Sequence, residues 1–403
     1  MAGVDRKFAR RDACGKPPPR PVDRNPPRYF VEQWLRGNEV ATPFGTHFET
    51  ERLYESHRRH GMLDISALSD LSPDFLEAIS EGTVAPFPCG RWAFLDTETT
   101  GLAGGSGTYA FLIGVGRITP EGFRLRQFFM REQGEEASLL HALAGHLAEF
   151  DLLITYNGKA YDQPLLETRY RMARARTPFA RLQHLDLLFG ARRLWKLRFD
   201  NCRLVELENQ ILGVEREGDL PGEMIPYVYF EYLRTREAFR VAPILHHNGM
   251  DILTLACLTA IVPAAFRSPV EAPLAHGAEM VGLGRWLRRA EREECALALF
   301  RRAITQGLRD DLLFRTMWDV GMIEKKLGRE AAALAAFTEL ASCRNLYRLA
   351  ALEELAKYYE HRERNYTMAL EFTLHALELH DTEPLRRRRL RLERRVTANR
   401  RLL

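Results

Sequence analysis

Long apolar runs are what this 403-residue sequence most plainly lacks: none reaches the 18 or more uncharged residues that a membrane span requires. The first 30 residues also lack the apolar core of a secretory signal. Cysteine is sparse, and its six positions (Cys14, Cys89, Cys202, Cys257, Cys295 and Cys343) contain no C-x-x-C pair. Neither a zinc site nor a disulfide framework has the spacing it needs, so the thiols are expected to be reduced and mostly buried. A cytoplasmic protein without a membrane partner is the expectation. One-sided charge is lacking too, since a net charge of +4 is too small to argue for nucleic-acid binding by itself. Material for cores is plentiful: 46% hydrophobic and 28% charged residues over this length suit two or three globular units.

The basic residues are unevenly placed. Residues 1–36 hold nine Lys or Arg against four acids, and KPPPRPVDRNPPR (Lys16 to Arg28) is too proline-rich to pack, which predicts a flexible basic arm. Between Arg386 and Arg401, nine arginines stand against one glutamate. That pattern suits the solvated face of a last helix better than a phosphate-binding surface.

Three zones lie between these ends. Residues 37–90 mix turn signals (ATPFGTHF, DLSPDF, PFPCG) with short apolar runs, predicting an accessory region of irregular strands and a small helix that covers a neighbouring domain. Residues 91–270 alternate in character. Strand-like RWAFLD, TYAFLIGVGRI and FRLRQFFM precede a helix over Glu135–Glu149, then LLITY, a helix from about Asp162, LQHLDLL and a last helix after Asp251. This order predicts an α/β domain, a mixed sheet flanked by helices.

Residues 277–403 turn alanine- and leucine-rich, predicting an all-α domain. Within it LGRWLRRAEREECALALFRRAI, VGMIEKKLGREAAALAAFTELA and LAKYYEHRERNYTMALEFTLHAL superpose, so that Phe300, Phe337 and Phe372 coincide at steps of 37 and 35 residues. Gly284, Gly321 and Ala356 each stand 16 residues before one of these phenylalanines, where a small residue lets two helices approach. The period resembles tetratricopeptide-type helical hairpins, whose surfaces commonly bind peptides, so a protein partner is expected there.

The chemistry is concentrated in acids. Strand-like WAFLDTETTGL, Trp92 to Leu102, ends in Asp96 and Glu98. Acid-x-acid pairs are common, about seven being expected by chance from 54 acids in 403 residues, so the pair takes its weight from its setting. Alternate residues of a strand share a face, which puts both carboxylates on one side at its C-terminal end, where sheets of this class hold ligands. Two anions pushed together repel unless a cation lies between them. ITYNGKAYDQPLL predicts a strand, a turn at Asn157-Gly158 and a helix opening at Asp162 with Pro164 in its first turn. HHNGMDILTLACL predicts a helix N-capped by Asn248 with Asp251 in its first turn. Taken singly, Asp162 and Asp251 read equally well as capping acids.

In order and local setting these residues resemble the DEDD superfamily of 3′–5′ exonucleases with a ribonuclease H-like fold. The family carries D-x-E on its first strand, here Asp96 and Glu98, and an Asp after an Asn-containing turn, here Asp162 within NGKAYD. Its last Asp follows a His or Tyr, here Asp251 after His246 and His247. LQHLDLL, DNCRLVELENQILGVEREGDLPGEMIPYVYFEYL and HHNGMDILTLACL resemble more narrowly the YprB-type branch, in which tetratricopeptide-like repeats often follow the nuclease domain.

The resemblance implies removal of nucleotides from the 3′ end of single-stranded DNA or RNA, with the four carboxylates holding two Mg²⁺ or Mn²⁺ ions. Asp96 would bridge both ions, Glu98 and Asp251 would hold the one that activates water, and Asp162 would support the second through water. A His before Asp251 would take the water's proton; His247, four positions before, is preferred to His246, five before. The rivals are a structure-specific endonuclease using the same ions and a non-catalytic nucleic-acid-binding adaptor with protein-binding repeats. A two-ion site requires the four acids to converge with none locked onto an arginine.

Further candidates surround this set. Asn157, Lys159 and Tyr161 precede Asp162 and could meet phosphate or stack on a base. Asp186 ends a strand-like run and resembles a family acidic position, with a turn or cap role equally open. Arg192, Arg193, Trp195, Lys196 and Arg198 interleave charge with an aromatic, as single-strand grooves and solvated helices both do. The glycine-rich GLAGGSGTYAFLIGVG lacks G-K-[ST] and precedes a strand, which argues against a P-loop and predicts a flexible hairpin loop.

Overall fold

The computed structural model describes residues 30–101 and 107–400. Most of the basic arm, the centre of the glycine-rich segment, Cys14 and Arg401 lie outside the described residues. Among the described residues nine strands form: β1 (Gly37–Thr42), β2 (Gly45–Glu55), β3 (Arg59–His60), β4 (Leu63–Asp64), β5 (Trp92–Thr99), β6 (Ala110–Thr119), β7 (Gly122–Phe129), β8 (Leu152–Thr155) and β9 (Gln183–Asp186). Seven make one sheet in the order β1-β2-β7-β6-β5-β8-β9, and β3 pairs with β4 in a ribbon of its own. β1 through β5 of that order run antiparallel, while β5, β8 and β9 run parallel, so the sheet is mixed.

The accessory region is continuous with this sheet: β2 pairs with β7 from Phe48 to Glu55, adding a hairpin to the edge. The short helices α1 (Val31–Trp34) and α2 (Glu77–Ser80) flank that region. The crossover from β7 to β8 is made by α3 (Glu136–Leu147), and that from β8 to β9 by α4 (Asp162–Met172). After β9 follow α5 (Leu187–Trp195), α6 (Leu204–Leu207), α7 (Ile225–Thr235) and the long α8 (Ala242–Arg267). Central β5 is buried on both faces from Trp92 to Leu95, as a strand covered by helices on each side must be. Trp92 and Phe94 face one core with Ile252 and Leu255 of α8, while Ala93 and Leu95 face another with Leu140 and Leu143 of α3, Leu166 of α4 and Tyr229 of α7.

α8 begins earlier than Asn248, correcting the expected cap. Asn-Gly usually breaks a helix, but Pro243 near the start supplies a favourable first turn, and the Asn248 side chain reaches across to the sheet. Close approach is permitted by Gly114 of β6, where an added Cβ would lie 2.2 Å from Ile252 and 2.3 Å from the Asn248 oxygen. The stretch Ala238–Arg267 is the one candidate among the described residues long and apolar enough to cross a membrane, and 78% of its apolar 18-residue window is buried inside the protein. Its apolar surface is thus occupied by the sheet and neighbouring helices.

The rest of the chain is all-helical: α9 (Gly277–Arg289), α10 (Glu293–Gln306), α11 (Asp310–Lys326), α12 (Glu330–Ser342), α13 (Arg348–His361), α14 (Tyr366–Leu379) and α15 (Glu383–Arg400). Consecutive helices pair as α9–α10, α11–α12 and α13–α14. The repeated glycines have a steric cause: a Cβ at Gly284 would lie 2.5 Å from the Phe300 ring, and one at Gly321 would lie 2.6 Å from Phe337. Several arginines of α15 stay partly exposed and pair with acids of the same chain, Arg386 with Asp381, Arg387 with Glu383 and Arg391 with Glu360. The five described cysteines are all free; Cys202 and Cys257 are buried and the other three only partly so.

Candidate active site

β5 delivers Asp96 and Glu98 at its C-terminal end, where the pairing with β6 slips between Glu98 and Thr99. Asp96 is held in place: Asn248 donates from Nδ2 to its Oδ2 at 3.0 Å, and the Asn248 oxygen accepts from Gln127 at 2.9 Å. Burial raises the Asp96 carboxyl well above the usual range, and the charges of Asp251 and Asp162 raise it further. Glu98 is raised in the same way, by burial and then by Asp96, Asp251, Asp162 and Asp219.

Asp162 is the first residue of α4, and its Oδ1 accepts the Thr97 hydroxyl at 2.5 Å. Thr97 sits between the two acids of β5 and points to the other side of the strand, so one strand end organises three carboxylates. Burial lifts Asp162 to about 6 despite that hydrogen bond. Asp251 projects from the third turn of α8, and burial raises it as well, against the opposing pull of Arg216 and His247. The structure therefore brings Asp96, Glu98, Asp162 and Asp251 into one electrostatic neighbourhood.

Asp251 is locked onto an arginine, so the condition set for a two-ion site, that none of the four acids be so paired, is not met. Arg216, whose side chain is 5% exposed, donates from Nη2 to Asp251 Oδ1 at 2.5 Å and from Nε to Glu208 Oε2 at 2.5 Å, and its Nη1 lies 3.2 Å from Asp219. Glu208 is itself buried, accepting from Thr254 at 2.7 Å with His60 at 3.4 Å. A buried acid needs a cation or a proton, and the segment after the left-handed turn at Gly213 supplies one to Asp251.

The two histidines separate clearly. His247 is buried, with Nδ1 2.9 Å and 3.0 Å from the Asp219 oxygens and Nε2 3.6 Å from Asp251 Oδ2. An anion at Nδ1 fixes the proton there and leaves the Nε2 lone pair facing the acids. Burial alone would raise Asp219, but His247 and Arg216 outweigh it and hold the carboxyl below its usual value. His246 is exposed and lines another cavity, of about 540 Å³, with Arg36, Arg52 and Tyr54.

Of the other candidates, Asp186 is a cap and a clamp: it accepts from the backbone N–H of Leu188, Asn157 and Lys159 at 3.1, 2.8 and 3.2 Å. Lys159 and Tyr161 are exposed beside Asp162. The charged stripe on α5 divides, since Trp195 is buried, Arg193 pairs with Glu81, and Arg198 pairs with Glu279. Sequence reasoning missed Arg216, Asp219, Glu208 and the tether made by Asn248. The R-x-x-D spacing within VEREGDLPG was the available signal for the first two.

Among the described residues, no three His, Cys, Asp or Glu side chains stand ready-made as a metal cage. The donor set nevertheless fits a hard divalent cation in kind: several half-buried carboxylates raise one another's pKa, and an oxygen-binding cation relieves that repulsion.

Comparison with known proteins agrees with the fold. A family model described as RNase_H superfamily matches residues 93–262, the span from β5 through most of α8. The Bacillus subtilis (strain 168) protein whose name is given as "Uncharacterized protein YprB" is 32% identical over 357 residues, covering 86% of this chain and 85% of the relative.

Proposed function

Because the chain belongs to the YprB family and carries an RNase_H-superfamily domain, we propose that it is a DEDD-type, metal-dependent nuclease that removes nucleotides from the 3′ end of single-stranded nucleic acid. The observation that carries this reading is the meeting of Asp96, Glu98, Asp162 and Asp251, four acids with one arginine among them. Mg²⁺ or Mn²⁺, when bound, would lower the pKa of the attacking water and neutralise charge at the leaving 3′ oxygen. Asp96, Glu98, Asp162 and Asp251 would hold it, Asp251 through the oxygen that Arg216 leaves free.

The remaining steps belong to the chain. Asn248 orients Asp96, and Thr97 orients Asp162. His247, with its Nδ1 proton on Asp219, offers Nε2 to the proton of the attacking water. Lys159 and Tyr161 stand exposed to meet a phosphate and a base, with Asn157 at the turn before them. The helical pairs of residues 277–403 would act as a tetratricopeptide-like surface for a protein partner, and the free cysteines accord with a cytoplasmic setting.

One observation favours a second reading. The Arg216–Asp251 pair is what a nucleic-acid-binding adaptor with no use for a second ion would keep. Single-stranded DNA and RNA labelled at the 5′ end, incubated with the protein and Mn²⁺ or Mg²⁺ beside an Asp96→Ala control, separate the cases. A ladder shortening from the 3′ end in the unmutated protein alone supports the exonuclease. Internal fragments of one size point to a structure-specific endonuclease, and tight binding with no product in either protein points to the adaptor.

A further inference from the structure

Next to the acids lies a second site of opposite charge. A cavity of about 630 Å³ opens between the end of β8, the outer face of α5 and the segment before α6, lined by Tyr156, Asn157, Arg192, Lys196, Asn201 and Arg203 among others. That volume falls within the range of small-molecule sites, about 300–1,000 Å³. We propose that this cavity holds the sugar–phosphate backbone of a single-stranded nucleic acid close to the bond presented to Asp96 and Glu98. The inference rests on the reading of the acids as a nucleic-acid-processing site, and it names the path of the strand.

Three observations carry it. First, the cations are unspent: among the described residues Arg192, Lys196 and Arg203 are exposed and enter no ion pair, whereas Arg193 and Arg198 of the same stretch are held by Glu81 and Glu279. A helix C-terminus welcomes a cation, which accounts for Arg192 and Lys196 at the end of α5 but not for Arg203 across the cavity. Arg192 and Lys196 stand at i and i+4, where like charges repel. An anion seated between them removes that repulsion, and the single acid on the wall, Asp200, does not pair with them.

Second, the walls are fixed. The Tyr156 hydroxyl donates to the Cys202 carbonyl at 2.5 Å, pinning the far wall to the strand end. Asn157 adopts a left-handed φ of 68°, and Gly158 follows where a Cβ would lie 2.5 Å from Thr155. Asp186 clamps this turn through two backbone N–H groups. Third, that turn joins the two sites: five residues after Asn157 the chain reaches Asp162. Tyr156 adds a ring on which a base can stack, and Asn201 adds hydrogen-bonding capacity. Acids that are crowded with negative charge repel a polyanion, so an adjoining basic wall is what keeps a phosphate chain over them.

The test uses the full chain and a short 5′-labelled single strand, DNA or RNA, with binding followed by fluorescence anisotropy in EDTA over a range of NaCl concentrations. Arg192→Ala/Lys196→Ala/Arg203→Ala is compared with the unmutated protein and with a charge-matched control on the helical region, Arg289→Ala/Arg344→Ala/Arg364→Ala. The cavity variant should bind at least about tenfold more weakly, and its log–log salt slope should fall by about 2, since each lost phosphate contact on a single strand removes about 0.7. The control should retain the unmutated slope. A cavity variant indistinguishable from the control overturns the inference, as does an unmutated protein that binds no single strand. Strand binding that depends on the cavity, with no cleavage, leaves this inference standing while the nuclease reading fails. Cleavage that is unchanged in the cavity variant does the reverse.

Discussion

The acids at the end of β5 and those buried among the C-terminal helices are treated oppositely by this molecule. Among the described residues of the helical region every deeply buried acid is matched by arginines: Glu279 by Arg198, Asp319 by Arg288, Arg285 and Arg315, Glu324 by Arg301 and Arg329, and Glu360 by Arg391 and Arg388. At the end of β5, Asp96, Glu98, Asp162 and Asp251 have Arg216 as their one arginine among the described residues, and it also serves Glu208 and Asp219. Arginines neutralise the helical-region set, although Asp319 Oδ2 and Glu324 Oε2 keep no hydrogen-bond partner among the described residues. Burial tends to raise Glu360, but its arginines outweigh that and hold it below its usual value, whereas the β5 acids are raised. Negative charge left without compensation in a folded protein is a place prepared for a cation from outside.

The largest effect that would sharpen this contrast is on chemistry. Asp96→Asn should reduce cleavage by on the order of 10³-fold, measured on the labelled strand, while raising the melting temperature of the metal-free protein near neutral pH. Next comes Arg216→Met, which leaves the buried Glu208 with only Thr254 and His60 beside it and should cost about 3 kcal/mol of stability in denaturant unfolding. Divalent cations should stabilise that variant more than the unmutated protein, because both oxygens of Asp251 are released to them. Glu360→Gln should instead lower the melting temperature, by an amount equivalent to about 1–3 kcal/mol, with no response to divalent cations.

A smaller difference lies in the pH dependence, and its sign is opposite in the two regions. Asp162 titrates at about 6 in the folded chain, above its unfolded value of about 3.9. The folded state holds that proton more tightly, so the stability it contributes is fully present below about pH 4 and is lost as pH rises through 6. Glu360, held below its usual value, contributes stability present above about pH 4.3 and lost as pH falls through its folded value. Melting curves of Asp162→Asn and Glu360→Gln across this range should therefore diverge from the unmutated protein at opposite ends. On the chemistry of the site, His247→Gln should lower kcat by about 10²-fold or more and leave strand affinity unchanged, while His246→Gln leaves kcat unchanged, as steady-state kinetics on the labelled strand would show.

What could be read without coordinates was what spacing encodes. Asp96-x-Glu98 shares a face because strands alternate, and Gly284 with Phe300 and Gly321 with Phe337 fit because a glycine sits where a ring must pass. The mixed sheet followed from the alternation of strand-like and helix-like runs. What escaped reading depends on contacts between distant segments. Asn248 looks like a cap because Asn-Gly is a local stop signal, and only the meeting of α8 with Asp96 across Gly114 shows its side chain employed elsewhere. Arg216 lies 35 residues from Asp251 on an irregular segment, and no periodicity announces that the two will meet. The joining of β1 and β2 to the sheet was likewise hidden, because an edge hairpin and a covering hairpin have the same local pattern.

The central claim, that the β5 acids are short of positive charge and the helical-region acids are not, is tested most directly by titrating the metal-free protein with Mn²⁺ near neutral pH, following both bound ion and melting temperature. Mn²⁺ should bind the unmutated chain and raise its melting temperature, and Asp96→Asn should abolish both responses while Glu360→Gln keeps them. Equal uptake of Mn²⁺ by the unmutated chain and Asp96→Asn, or none by either, would contradict the account.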